Sequence, residues 1–250
     1  MVTTYSSPGS RSTAAILALY VKVGACLLAV GADVRRIVVA GDLAEGKVFV
    51  DALLGADQLV TLTALLELVA FAVAAALFLR WQVAAHRNLP ALGEPEPRAG
   101  VTAGVAAWFV PVVNLVRPLQ IVGDLWRAGD RGASPPRLLR VWWAAWLVAL
   151  FAVVAAWTLF GEAADIGERQ RIDALRAATT ALSAVAAGLA IAVVSRTTSR
   201  QEARAVTLDV PRAGPPPGRE GGRPSGSGLE IVSEAQARTS NRGRSSTEPS

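Results

Sequence analysis

A chain of 250 residues that is 52% hydrophobic and 18% charged, with a net charge of +5 and a mean hydropathy of +0.38, is too apolar for an ordinary soluble domain and long enough for several membrane spans. Its 1 cysteine and 1 histidine exclude an intramolecular disulfide and a Cys-x-x-Cys metal site, and leave little from which to build acid–base or metal chemistry. The positive charge is nearly all arginine, with lysine only at positions 22 and 47, and it sits beside apolar runs and in the C-terminal stretch; that placement points to topology control and anionic lipid headgroups rather than to nucleic acid.

Residues 1–12 are short and polar and read as disordered. No basic segment followed by a short apolar stretch and a cleavage site opens the chain, so the first apolar run is expected to be a retained span and not a signal peptide. That run, residues 13–32, is roughly 30 Å long as a helix, the thickness of a bilayer core. Lys22 interrupts it, and Asp33, Arg35 and Arg36 end it. Residues 34–57 read as a mixed-charge loop with room for a short surface helix. Residues 59–79 form a second span with one ionisable interruption, Glu67, closed by Arg80 and Trp81 as a charged and aromatic interfacial pair. His86, Arg87, Asn88, Pro90, Gly93, Pro95 and Pro97 are loop signals.

The next stretch is apolar but broken. Residues 101–115 make roughly 22 Å of helix, too short to cross. Extending them would place Asn114, Arg117, Pro111 and Pro118 in lipid, and irregular backbone survives at that depth only against protein or water. Residues 101–128 are therefore assigned as a re-entrant or interfacial segment that dips in and returns, with a short interfacial helix over 119–128. Residues 138–160 form the third span, with Trp142, Trp143 and Trp146 at one end and Trp157 near the other, in the pattern of interfacial anchors. Residues 161–173 read as a loop and 177–194 as the fourth span, whose small residues Ala184 and Gly188 permit close helix packing. Residues 205–250, rich in Pro, Gly, Ser and Arg, read as a disordered cytoplasmic tail. The fold class expected is an all-α membrane protein with four transmembrane helices and a central re-entrant segment, its helical domain covering 13–204.

Orientation follows from the bases near the membrane. The stretch between the second and third spans carries Arg80, Arg87, Arg98, Arg117, Arg127, Arg131, Arg137 and Arg140, and Arg196, Arg200 and Arg204 follow the fourth. The loops at 34–57 and 161–173 carry few bases. Both termini and the central segment are thus expected on the cytoplasmic side of the cell membrane. A fifth crossing would put Arg127, Arg131, Arg137 and the tail outside.

The stretches RWQVAAHRNLPALG, AAWFVPVVNLVRPLQIVGDLWRAGD and RVWWAAWLVAL resemble the domain-of-unknown-function family numbered 4328, multi-pass membrane proteins mostly of actinobacteria. The resemblance rests on Arg87, Asn88, Leu92, Gly93, Trp108, Phe109, Pro111, Asn114, Leu115, Pro118, Leu125, Trp126, Trp142 and Trp143. Asp124 stands where a glutamate is expected. The resemblance covers about residues 13–204, implies a membrane location and supplies no activity.

Several side chains are candidates for a role. Lys22 and Glu67 lie at depths that differ by roughly 5 Å, within reach of a lysine stem, and a lone charge there costs at least about 2.5–3.5 kcal/mol; they are expected to pair, as a lock between helices or as part of a proton or ion path. Trp108, Phe109, Pro111, Asn114, Arg117, Pro118, Asp124 and Trp126 form the central motif. Its Asn114 either satisfies backbone groups freed by the prolines or lines a polar cavity, and Asp124 and Arg127 make a local helical pair. Trp81, Trp142, Trp143 and Trp146 read as interfacial anchors, His86 as a solvated turn residue and Cys26 as a small apolar filler. No catalytic set, cofactor site or metal site is expected. The expected partners are the lipid bilayer, anionic headgroups at the cytoplasmic face and an unidentified protein, without nucleic acid. The function expected is a non-enzymatic membrane module acting through protein or lipid contacts. The alternative is a small transporter or lipid-binding protein using Lys22, Glu67 and the broken central segment.

Overall fold

A computed structural model describes residues 4–94, 100–130, 136–159 and 165–211. The expected tail beyond 211 lies outside the described residues. Among the described residues six α-helices follow in order: α1 (Gly9–Ala44), α2 (Val50–Arg87), α3 (Val101–Ala106), α4 (Arg117–Arg127), α5 (Arg137–Leu159) and α6 (Ile166–Thr207), with one 3-10 turn at Val113–Leu115. Four of these, α1, α2, α5 and α6, are long and apolar enough to cross a membrane. α1 lies between α2 and α6, and α5 packs along α6.

α1 is the central element because its buried face is narrow and continuous. Ala15, Ala18, Lys22, Cys26, Ala29, Asp33, Arg36 and Ala40 are buried at spacings of three and four, one stripe of an α-helix. Alanine dominates the stripe and lets neighbouring helices approach closely. The outward faces are apolar and open: Leu62, Leu65, Leu68, Val69 and Phe71 of α2 and Val148, Phe151 and Val154 of α5 are exposed. Unbroken apolar surface of this extent suits hydrocarbon and not water.

The long helices outrun the expected spans. α1 has 36 residues, α2 38 and α6 42, lengths of roughly 54, 57 and 63 Å against a core of roughly 30 Å. The loops expected at 34–57 and 161–173 are therefore corrected. α1 continues to Ala44, α2 starts at Val50 and α6 starts at Ile166, because Arg36, Asp57 and Asp173 face one another across helices, while Arg35, Lys47, Arg169 and Arg171 stay exposed on the helix and loop surfaces. Asp165 caps α6 by accepting from the Glu168 amide at 2.7 Å, which satisfies a donor that the helix itself cannot. At the other end α2 continues through the expected turn to Arg87, and α6 runs past 204 to Thr207.

The disordered N-terminus expected over 1–12 is also corrected for residues 4–12, while residues 1–3 lie outside the described residues. Tyr5 is buried in the core, and its amide donates to the Pro211 carbonyl at 3.0 Å. The Ser6 amide donates to Asn88 Oδ1 at 3.1 Å while Asn88 Nδ2 donates to the Ser6 carbonyl at 2.7 Å. Asn88 thus clamps the segment before α1 to the end of α2. Asn88→Ala removes both bonds from a buried site and should cost about 1–3 kcal/mol of stability. Limited proteolysis should then cut near residue 6 at a protease concentration that leaves the wild-type chain intact. Unchanged protection there would count against the clamp.

Candidate functional site

Three sets of side chains stand out: two ionic sets along the long helices, and a set of indoles and amides at the C-terminal ends of α2 and α6 and the N-terminal end of α5. In the first, Lys22 Nζ on α1 donates to Glu67 Oε1 on α2 at 2.7 Å, to Ser183 Oγ on α6 at 3.2 Å and to Cys26 Sγ at 2.9 Å. The Cys26 thiol donates to Glu67 Oε1 at 3.6 Å. All three donors of the ammonium are occupied, so one lysine ties three helices together. Lys22 is buried and Glu67 only partly so. The two residues expected to face each other do so, and Ser183 and Cys26 join them. Cys26 acts as a weak acceptor within this cluster, more than the apolar filler it resembles in the sequence.

A second ionic set lies about three to four helical turns along α1. The Arg36 guanidinium makes two bonds to Asp173, one of 2.8 Å from Nε to Oδ2 and one from Nη2 to Oδ1, and reaches Asp57 at 3.2 Å. Asp173 is 0% exposed, a carboxylate matched by a planar fork. Arg176 lies 3.6 Å from the buried Asp33. This set joins α1, α2 and α6, as the first does. The sequence signal for it was the stripe itself: Lys22, Cys26, Ala29, Asp33, Arg36 and Ala40 keep helical spacing straight through the expected end of the span.

Near the C-terminal ends of α2 and α6, the central segment is held by indole and amide hydrogen bonds. Trp108 Nε1 donates to Gln82 Oε1 at 2.9 Å, and Gln82 Nε2 donates to the Gly104 carbonyl at 3.3 Å. Trp143 Nε1 donates to the Leu115 carbonyl at 3.1 Å, and Gln201 Nε2 donates to the Leu125 carbonyl at 3.2 Å. Trp81 Nε1 donates to Thr198 Oγ1 at 2.9 Å. Around these bonds Trp143 stacks on Trp146 with ring centroids 4.8 Å apart, and Trp108 meets Phe78, Trp143 and Trp146 edge-on. Such pairs add to the burial of large apolar area.

The reading of Trp81, Trp142, Trp143 and Trp146 as interfacial anchors is corrected accordingly. Trp81, Trp142 and Trp143 are buried and Trp146 is half-buried: the indole donors of Trp81 and Trp143 are taken up by protein, and the rings of Trp142 and Trp146 pack against other aromatic rings. His86 is buried too, not solvated, and its Nε2 has no partner; it lies past the expected end of the second span, and burial lowers its pKa while the Asp124 carboxylate pulls the other way.

The central motif divides sharply between buried and exposed members. Pro118 and Trp126 are buried, with Pro118 at the start of α4 where its missing amide costs nothing. Asp124 and Arg127 pair on the outer face of α4. Arg117 is exposed. Asn114 Oδ1 is buried and accepts no bond, so this oxygen does not serve the backbone around Pro111 and Pro118. Phe109 is 71% exposed and Val112 78%, and with Val110 and Val116 they form an apolar tip on the turn between α3 and α4. Among the described residues no group of acidic, histidine and cysteine side chains is placed to hold a metal.

A double-mutant cycle measures the midway pair. Lys22→Met leaves Glu67 without its cation and should cost about 2.5–3.5 kcal/mol, read as loss of thermal stability in detergent. Adding Glu67→Gln should recover a large part of that loss, and additive costs would show that the two do not interact. Arg36→Met strands the fully buried Asp173 and should cost about 3–5 kcal/mol; a change no larger than that of an exposed arginine would contradict the buried network.

The chain matches a family model, Domain of unknown function (DUF4328), over residues 46–199, and it belongs to that family. The matched region runs from just before α2 into α6 and contains Glu67, the whole central segment and the tryptophan cluster. No curated protein and no solved structure matches the chain.

Proposed function

We propose that this DUF4328 protein is a non-enzymatic module of the cell membrane that acts through lipid or protein contacts, crossing four times with both termini and the central segment in the cytoplasm. The observation that carries the reading is the apolar tip. Phe109, Val110, Val112 and Val116 are exposed, yet the backbone that presents them is pinned by Trp108, Trp143 and Gln82. Trp108 touches Phe78, at the edge of the second expected span, and Trp146, roughly 12 Å inside the third. A rigid apolar tip at that depth enters the inner leaflet and returns, as a re-entrant segment does. Backbone polar groups there are tolerated because protein covers them. The polar side of α4, with Arg117, Gln120, Asp124 and Arg127 exposed, then faces the headgroup layer or a partner protein.

A second reading, a small transporter or lipid-binding protein, draws support from the Lys22–Glu67–Ser183 cluster and from the unpartnered Asn114 oxygen, since ionisable groups at mid-membrane mark transport paths in other proteins. The first reading is preferred because the ammonium of Lys22 is fully engaged.

Spin labelling tests the tip. A nitroxide on Val112→Cys in a Cys26→Ala background should be relaxed by oxygen and shielded from a water-soluble nickel chelate in reconstituted membranes. A label at position 127 should show the reverse. Equal access of the chelate to both positions would remove the inserted tip and the reading built on it.

A further inference from the structure

Beyond the fourth expected span, 177–194, α6 continues into a region with its own geometry. Arg200 lies roughly 9 Å and Arg204 roughly 15 Å past residue 194 along the helix, while the headgroup layer extends roughly 5–7 Å beyond the hydrocarbon. Long side chains on a helix lean toward its N-terminus. For α6 that direction points back to the bilayer, so both guanidiniums reach headgroup depth.

They line a cleft of about 280 Å³ together with Gly129, Asp130, Ala203 and Thr207. Arg200 is fixed in place: its guanidinium carbon lies 4.6 Å from the centre of the Trp126 ring and its Nη2 lies 3.2 Å from Asp130 Oδ2. The loop after α4 comes so close to α6 that a Cβ on Gly129 would lie 2.6 Å from Arg200 Cβ and 3.0 Å from its carbonyl carbon. The Thr207 hydroxyl is already donating to the Ala203 carbonyl at 3.0 Å. The Nε atoms of Arg200 and Arg204 are covered and make no hydrogen bond. Two guanidiniums against one carboxylate leave a local excess of positive charge. Its remaining N–H donors form the fork geometry that phosphate oxygens accept.

We propose that this cleft holds the phosphate of one anionic phospholipid of the inner leaflet, with Arg204 as the principal donor and Arg200, braced by Trp126 and Asp130, beside it. The proposal rests on the lipid-contact reading above and names one site for it. The lipid would fasten the C-terminal end of α6 to the loop after α4.

The full chain, purified in mild detergent with mixed phosphatidylcholine and phosphatidylglycerol, is examined by native mass spectrometry for retained lipid. Wild type should keep one phosphatidylglycerol in preference to phosphatidylcholine. R204Q should lower that retention several-fold, while R140Q, at an exposed arginine of the same membrane face, should not. A203W, which fills the cleft from an exposed position without removing charge, should lower it as R204Q does and serves if R204Q folds poorly. Equal losses in R204Q and R140Q would overturn the cleft in favour of diffuse attraction and leave the lipid-contact reading standing. Displacement of the lipid by inorganic phosphate at matched concentration would overturn the headgroup assignment in favour of a soluble anion. No preference for phosphatidylglycerol in wild type would overturn the proposal outright, with the inserted tip judged separately by the spin labels.

Discussion

An ammonium group halfway along an apolar helix must find its partners inside the protein, and that requirement organises this bundle. Lys22 meets it with Glu67 on one neighbour and Ser183 on the other, and Arg36 meets it again with Asp57 and Asp173 on the same two helices. Between apolar helices there is no hydrophobic force in lipid to fix depth or rotation. Alanine stripes permit close approach but allow sliding. Two charged junctions about 21 Å apart along α1 remove that freedom, because slipping either neighbour by one turn would separate both sets of charges.

The end of the bundle that carries the central segment is built on a different principle. There the chain is irregular, and what the irregular backbone needs is donors and acceptors. Tryptophan supplies a large apolar body with one donor at its edge, and Trp108, Trp143 and Trp81 each place that donor on a neighbouring element. Gln82 accepts from one indole and donates to the backbone of α3. Satisfying these groups internally lets the turn at 109–116 keep an apolar exterior. The same tryptophans that hold the segment therefore leave its apolar tip exposed.

Much of the fold was legible because hydropathy and length are strong signals. Four apolar runs became four long helices, and Pro111, Asn114 and Pro118 marked the place where regular helix stops. The misread parts share a cause. Arg36, Asp57 and Asp173 read as loop residues, and Asp33 as the end of a span, because charge ordinarily means water, whereas here they face other charges across helices and extend the helices beyond the expected spans. Tyr5 and Asn88 read as terminus and turn because their partners, Pro211 and Ser6, are distant in sequence or local only in space. Trp142 and Trp143 read as lipid anchors because composition shows where an indole lies along the membrane normal and not which way it points. The match of Lys22 to Glu67 was visible from depth alone, but Ser183 carried no sequence mark that set it apart from other small residues of α6.

The central claim is that the segment between α2 and α5 returns to the side it came from. Two-sided cysteine accessibility in a Cys26→Ala chain tests it most directly, with single cysteines at positions 45, 90, 130 and 165 and an impermeant thiol reagent applied to each face in turn. The account predicts that 90 and 130 label from one face and 45 and 165 from the other. Labelling of 130 from the same face as 45 would mean that the broken segment crosses, and the four-span arrangement would be wrong.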